Sequence, residues 1–306
     1  MARGEEPLES IGGYMSRRFK GAAQSSNPGP TIRREEVREC YCDTCKADFQ
    51  GSVLLSGDRV LYRSHECPAC RQDREALDRQ ETRETQARQI LEQQACWRLQ
   101  CGMAPQLRDK RFDNFNIEAQ RPAYEAVYSW VTEMPIEYPR GYRSLLLYSD
   151  PGVYGVGKTH LLAAAANWLI TNCPTDVDNP VCPVRFETGT SLVRRIRATY
   201  NLKDEDRPYH ETEETLYNSL SGVGLLILDD VREETASRHS REVYYHIINE
   251  RVNCGLPVML SSNMNPESPQ FADVVGAATV SRLLGMVGGI CYRLTGQDMR
   301  LKRKVP

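Results

Sequence analysis

The chain predicts an α/β fold: a parallel sheet covered by helices on both faces, preceded by a small cysteine-bearing module. Three observations carry that prediction. The run Gly152-Val-Tyr-Gly155-Val-Gly157-Lys158-Thr159 matches the phosphate-loop pattern G-x-x-x-x-G-K-[ST]. Short apolar runs alternate with helical stretches on either side of it. Two C-x-x-C pairs, Cys42/Cys45 and Cys67/Cys70, stand well ahead of it.

From the amino end, residues 1–35 are polar, with stretches such as Gln24-Ser-Ser-Asn-Pro-Gly-Pro30, and read as a disordered tail. Residues 36–72 form the cysteine module. Val53-Leu-Leu and Arg59-Val-Leu-Tyr62 flank Ser56-Gly57-Asp58, a turn signal between two strands. Two C-x-x-C turns with a hairpin between them gather four thiolates around a tetrahedral Zn²⁺, which makes Cys42, Cys45, Cys67 and Cys70 the zinc ligands. Cys40 and His65 lie just outside the pattern and are taken as neighbours of the site. Four cysteines leave no open coordination position, so a structural ion is expected. Whether the module meets DNA or a protein is left open by the sequence.

Residues 73–110 read as a helical linker. Arg71 to Gln94 alternates charge sign without Gly or Pro, and Glu75–Arg79 and Glu84–Arg88 are i,i+4 pairs in the favourable order. Leu77, Ile90 and Leu91 are too few for a coiled-coil seam, which leaves a solvated spacer. Residues 111–306 make the nucleotide-binding domain. Its strand candidates are Ser144-Leu-Leu-Leu-Tyr148, Val184-Arg-Phe-Glu187, Gly224-Leu-Leu-Ile-Leu-Asp229 and Pro257-Val-Met-Leu-Ser261. His160-Leu-Leu-Ala-Ala-Ala-Ala-Asn-Trp-Leu-Ile170 is Ala-rich and unbroken, a helix directly behind the phosphate loop.

Composition excludes more than it assigns. Charge is balanced, with 39 basic and 41 acidic residues, so any nucleic-acid contact must come from a local patch. No run approaches the roughly 18 apolar residues of a membrane span. Met1 to Lys20 lacks an apolar signal core, and the eleven cysteines are an odd number with four in C-x-x-C spacing. A reducing, cytoplasmic setting is expected, with metal rather than disulfides.

The strand–loop–helix order aims backbone N–H groups at a phosphate chain. Gly152, Gly155, Gly157, Lys158, Thr159 and His160 are the nucleotide-contacting candidates: Lys158 for the β/γ-phosphates, Thr159 for Mg²⁺. Leu225-Leu-Ile-Leu-Asp229-Asp230 delivers two carboxylates to the carboxyl edge of the sheet. Asp229 is the expected Mg²⁺ partner and Asp230 the residue that polarises the attacking water. Ser261-Ser262-Asn263 ends the next strand, where Asn263 would position that water.

As a set, Gly152 to Leu162, Leu225 to Val231, Tyr244 to Arg251, Val258 to Met264 and Ser281-Arg282-Leu-Leu284 resemble the AAA+ ATPases of the DnaC/DnaI helicase-loader and IstB transposition-helper group. The similarity runs from about Arg111 to Leu301 and implies a P-loop AAA+ core that binds ATP with Mg²⁺ and hydrolyses it as an assembly. Arg282 matches the arginine finger offered to a neighbouring subunit, so self-association into a spiral or ring is implied. Gly296-Gln-Asp-Met-Arg300 is similar to the group's Gly-x-Ser-x-Arg, with Asp298 in place of Ser, and points to Arg300 as a nucleotide sensor. Thr190-Ser-Leu-Val-Arg194-Arg195-Ile-Arg197 opens on an N-cap candidate, Thr190. The resemblance implies that Arg194, Arg195 and Arg197 hold single-stranded DNA there. DnaI-like loaders carry an N-terminal zinc module that contacts a replicative DNA helicase, which favours helicase loading. A transposition helper that binds DNA and a transposase is the first alternative, and a non-hydrolysing, nucleotide-switched adaptor the second.

Overall fold

The computed structural model describes residues 33–174, 181–200, 211–232 and 237–300. The polar tail expected over 1–35 lies outside the described residues as far as 32. The chain divides into two units, Met1–Glu84 and Thr85–Pro306.

The first unit is an antiparallel meander of β1 (Arg33–Tyr41), β2 (Asp48–Ser56) and β3 (Arg59–Arg63), in that spatial order. β1 pairs along its whole length, from Arg33 opposite Ser56 to Tyr41 opposite Asp48. Arg33, Arg34 and Glu35 are therefore strand rather than tail. Their alternation of charges carries no apolar period, and pairing with β2 is what makes them extended. The hairpin expected at Ser56-Gly57-Asp58 forms, with Gly57 at φ 61°, a left-handed turn that glycine adopts without strain. Val53 and Leu55 alternate into a small buried cluster with Cys40, and Phe49 packs against it.

Helix α1 (Pro68–Gln100) starts earlier than the expected linker, because Pro68 sits at its first position, where a missing N–H costs nothing. Glu75 pairs with Arg79 at 4.0 Å, while Glu84 accepts from Gln80 at 2.9 Å. Leu77 and Leu91 are exposed, as a solvated spacer requires. The last turns are not spacer. Trp97 is buried, and Gln94 donates to the Thr171 carbonyl at 2.9 Å, both within the second unit.

The second unit continues with α2 (Ile117–Glu133), β4 (Leu145–Tyr148), α3 (Lys158–Asn172), β5 (Val184–Thr188), α4 (Gly189–Thr199), α5 (Glu213–Gly222) and β6 (Leu225–Val231). It ends with α6 (Arg238–Cys254), β7 (Val258–Ser262), α7 (Pro269–Val275), α8 (Ala277–Met286) and β8 (Cys291–Arg293). The strands are all parallel, in the order β5-β6-β7-β4-β8. Side chains alternate to opposite faces. Leu145, Leu147, Ile227 and Met259 thus enter one cluster, which α3 completes through Leu161, Leu162 and Leu169. Leu146, Leu226, Leu228 and Leu260 enter the other, closed by Ile247 and Ile248 of α6 and Phe271 of α7. Both faces are covered, which is why these strands read as unbroken apolar runs. β8 was not foreseen: three residues, Cys-Tyr-Arg, at the sheet edge give no periodic signal.

Arg251 on α6 is fully buried at the end of the sheet away from the phosphate loop. It donates to the carbonyls of Leu220, Ser221, Val223, Gly224 and Pro257, stitching the α5–β6 connection to the start of β7.

Candidate active site and metal centre

The phosphate loop joins β4 to α3. Gly152, Gly155 and Gly157 take φ of 82°, 66° and 101°, values that L side chains rarely adopt. Crowding adds a second reason at two of them. A Cβ on Gly155 would strike the Asp298 carboxylate, and one on Gly157 would lie 2.8 Å from the Phe115 ring. The loop is a cradle of backbone that opens onto the amino end of α3, where free N–H groups favour an anion.

Lys158 is buried, and its amine donates to Ser149 Oγ and to Asn263 Oδ1, both at 2.6 Å. Burial lowers its pKa to about 8, against the opposing pull of Asp230 and Asp229. Thr159 Oγ1 donates to Asp229 Oδ1 at 3.1 Å, and Ser261 Oγ donates to the same oxygen at 2.6 Å. Burial pushes the Asp229 carboxyl up from the usual carboxylate range. A buried amine pushed toward neutrality beside a buried carboxyl pushed the same way is what a Mg²⁺-bound triphosphate would relieve: phosphate favours the ammonium, and the cation favours the carboxylate. The residues fit the pair. Lys158 would meet phosphate, and Thr159 with Asp229 would hold the metal.

Asp230 reaches the same place by a different backbone route. Its φ is 57°, unusual for a side-chain-bearing residue, and the pairing of β6 with β7 slips between Leu228 and Val231. This bulge lets two successive carboxylates face one site. The Asp230 N–H donates to Ser261 Oγ at 2.9 Å, and Asn263 Nδ2 donates to Asp230 Oδ1 at 3.1 Å. Arg232 forms an ion pair with the other oxygen of Asp230. The structure therefore brings Lys158, Thr159, Asp229, Asp230 and Asn263 into one hydrogen-bonded group. Ser149 and Ser261 belong to it as well. No motif names them; their strand-end positions were the available signal.

The other candidates fall elsewhere. His160 is spent on the Lys110–Phe115 segment, with Nε2 3.0 Å from both the Arg111 carbonyl and Asn114 Oδ1. Arg300 lies near enough to depress the Lys158 pKa, and the preceding Met299 N–H donates to the Gly155 carbonyl at 3.1 Å. Arg282 stands apart on α8. Its guanidinium donates to Asn249 Oδ1 at 3.1 Å and lies over the Tyr245 ring, 4.8 Å from its centroid. On α4, Leu192 and Ile196 are buried while Arg194 and Arg197 are exposed. Arg195 corrects the three-arginine reading: it pairs with buried Glu187 and with Glu211, so its charge is used within the fold. The helix is capped by Thr188 in a capping box with Ser191, not by Thr190, so it starts two residues earlier than the sequence suggests.

In the first unit, the Sγ atoms of Cys42, Cys45, Cys67 and Cys70 all lie within 4.8 Å of one another. Cys45 and Cys67 are 3.8 Å apart, matching the roughly 3.8 Å edge of a tetrahedron with Zn–S bonds of about 2.3 Å. The first pair sits on the β1–β2 turn, where Lys46 is left-handed and donates to the Cys42 carbonyl at 3.0 Å. The second pair sits at the start of α1, not on a free turn, because Pro68 begins the helix between the two thiols. Backbone N–H groups of Cys45 and Cys67 lower the Cys42 thiol to about 6, whereas the hydrogen bond with the Cys67 thiol pushes the Cys70 thiol up to about 12. A divalent cation bound among the four sulfurs would favour the thiolate form of each. Cys40 points into the small apolar cluster, and His65 is exposed with Nδ1 3.8 Å from Asp43. Neither belongs to the four-sulfur set.

Comparison with known proteins places the second unit. The family described as "Bacterial DnaA ATPAse domain" matches residues 107–275. The "Replicative helicase loader DnaC" of Buchnera aphidicola subsp. Baizongia pistaciae (strain Bp) is 27% identical over 154 residues, 50% of this chain and 55% of that protein. The protein of the same name from Escherichia coli (strain K12) is 24% identical over 184 residues, 60% of this chain and 66% of its own length. This chain thus spans between half and two thirds of those relatives. Among solved structures, AMPPCP-bound DnaA from Aquifex aeolicus superposes with a TM-score of 0.43 at 26% identity, over 60% of this chain and 50% of that one.

Proposed function

The chain belongs to the bacterial DnaA ATPase-domain family, and from that premise we propose that it is an ATP-dependent helicase loader. The observation that carries this reading is the joined group of Lys158, Asn263 and Asp230, with Thr159 and Asp229 beside it. Those side chains have the chemistry of nucleotide hydrolysis. Lys158 binds the phosphates, Thr159 and Asp229 hold Mg²⁺, Asp230 takes a proton from water and Asn263 orients that water. Mg²⁺ when bound neutralises charge on the β- and γ-phosphates.

Placement is compatible with the remaining roles. Arg282, held by Asn249 and Tyr245 rather than by the Lys158 group, acts on a neighbouring subunit, and Arg300 senses the nucleotide in its own. Arg194 and Arg197, exposed on one helix, contact the phosphates of single-stranded DNA. The first unit holds a structural Zn²⁺ on its four cysteines and grips a replicative helicase. The names of the DnaC relatives support the helicase as partner.

The test couples turnover to capture. The full chain is expected to hydrolyse ATP, to do so faster when it assembles on single-stranded DNA, and to co-purify with a replicative helicase. Capture of a transposase alone would replace this reading with that of a transposition helper. ATP binding without hydrolysis in any condition would make the chain a nucleotide-switched adaptor.

A further inference from the structure

Arg232 lies two residues beyond Asp230 and belongs to no motif. Its surroundings give it one. Lys158 donates to the oxygen of the Asn263 amide, and the amide nitrogen donates to Asp230 Oδ1. Arg232 closes this chain on Asp230 Oδ2. A cleft of about 520 Å³ opens beside it, walled by Pro151 and Tyr154 of the phosphate loop and by Asn263, Asn265, Ser268 and Arg232 itself. The positive charge of Arg232 contributes to the lowered pKa of Lys158, so the two cations already feel each other across the site.

In this arrangement Asp230 is a weakened base, because an amide bonds one carboxylate oxygen and the guanidinium of Arg232 draws charge from the other. A γ-phosphate on Lys158 changes the balance. It offers more negative charge than one carboxylate and pairs of oxygens that the guanidinium fork can engage two at a time. We propose that Arg232 is a catalytic residue supplied in cis, passing from Asp230 to the γ-phosphate when a nucleoside triphosphate binds.

The exchange does two things at once. It places a cation on the transferring group, and it frees Asp230 Oδ2 to accept from water. The water oxygen then bonds to the γ-phosphorus as the bond to the β–γ bridging oxygen breaks. That oxygen keeps the electron pair within the diphosphate, and the water proton passes through Asp230 to the released phosphate. Arg232 supplies charge from within the subunit, where Arg282 requires a neighbour.

The inference rests on the nucleotide site proposed above, and the experiment separates the two. Calorimetry with Mg²⁺ compares AMPPCP and ADP on the full chain and on Arg232→Gln and Arg232→Lys. The wild type is expected to favour the triphosphate, Arg232→Gln to lose that preference by about tenfold or more, and Arg232→Lys to keep part of it. The turnover of Arg232→Gln should fall by about 10²–10³-fold at matched saturation. Arg232 is half exposed, and matching melting curves establish that the variants fold. An unchanged preference, or faster turnover in Arg232→Gln, would mean that Arg232 merely caps Asp230 and would overturn the inference alone. A wild type that binds neither nucleotide would overturn the site itself.

Discussion

Between residues 33 and 84, the buried apolar cluster consists of Cys40, Val53 and Leu55. From residue 85 onward, two large clusters fill both faces of a five-stranded sheet. Among its described residues the first unit has little apolar burial to set against the ordering of its chain, and the four converging sulfurs are placed to make up the difference if they hold the proposed Zn²⁺. The second has packing to spare, enough to bury a lysine, an aspartate and an arginine. In the proposed reading, metal would organise one unit so that a surface can be presented. Packing organises the other so that strained and desolvated groups can be held in place.

Metal removal is the strongest way to break this contrast. A chelator, or Cys42→Ser, is expected to abolish the meander's protection from proteolysis while the melting transition of the ATPase unit stays in place. A first unit that keeps its protection without metal would mean that its apolar cluster suffices. Next comes the other side of the comparison. Arg251→Met leaves five carbonyls without their donor and should cost the second unit about 3–5 kcal/mol in urea unfolding, with no effect on zinc content. A loss below about 1 kcal/mol would show that this stitching is dispensable.

The smallest effect concerns pH. Burial lowers Lys158 from 10.5 to about 8, so without nucleotide its charge destabilises the fold below pH 8. That penalty is relieved as pH rises from about 8 toward 10.5, where the unfolded chain binds the extra proton. Lys158→Met should therefore melt above the wild type at pH 7, with the gap closing by pH 10. A gap that does not change with pH would assign the difference to packing instead. Adding Mg²⁺ and AMPPCP should reverse the order at pH 7, because only the wild type gains from the ligand.

Much of this was legible in the residues. Buried strands announce themselves as apolar runs, and β4, β6 and β7 were found within a residue or two at each end. The phosphate loop, the paired aspartates and Asn263 carry motifs whose spacing is set by the chemistry they perform. What escaped depended on pairing or on three-dimensional neighbours. β1 alternates like charges with unlike ones and becomes a strand only beside β2. β8 is three residues long. Arg195 looked equivalent to Arg194 and Arg197 until Glu187 and Glu211, from elsewhere in the chain, were brought against it. Arg232 gave no signal at all, since its meaning lies in a bulge that turns Asp230 toward Asn263.

The backbone bond from Met299 to Gly155 ties the carboxyl-terminal segment to the loop that cradles phosphate. β8 lies next to β4, and Arg293 pairs with Asp150 at the loop's entrance, so two links anchor that segment within a few residues of each other. The cradle for phosphate is thus held from outside as well as from the helix behind it, by β8 and the residues that follow it.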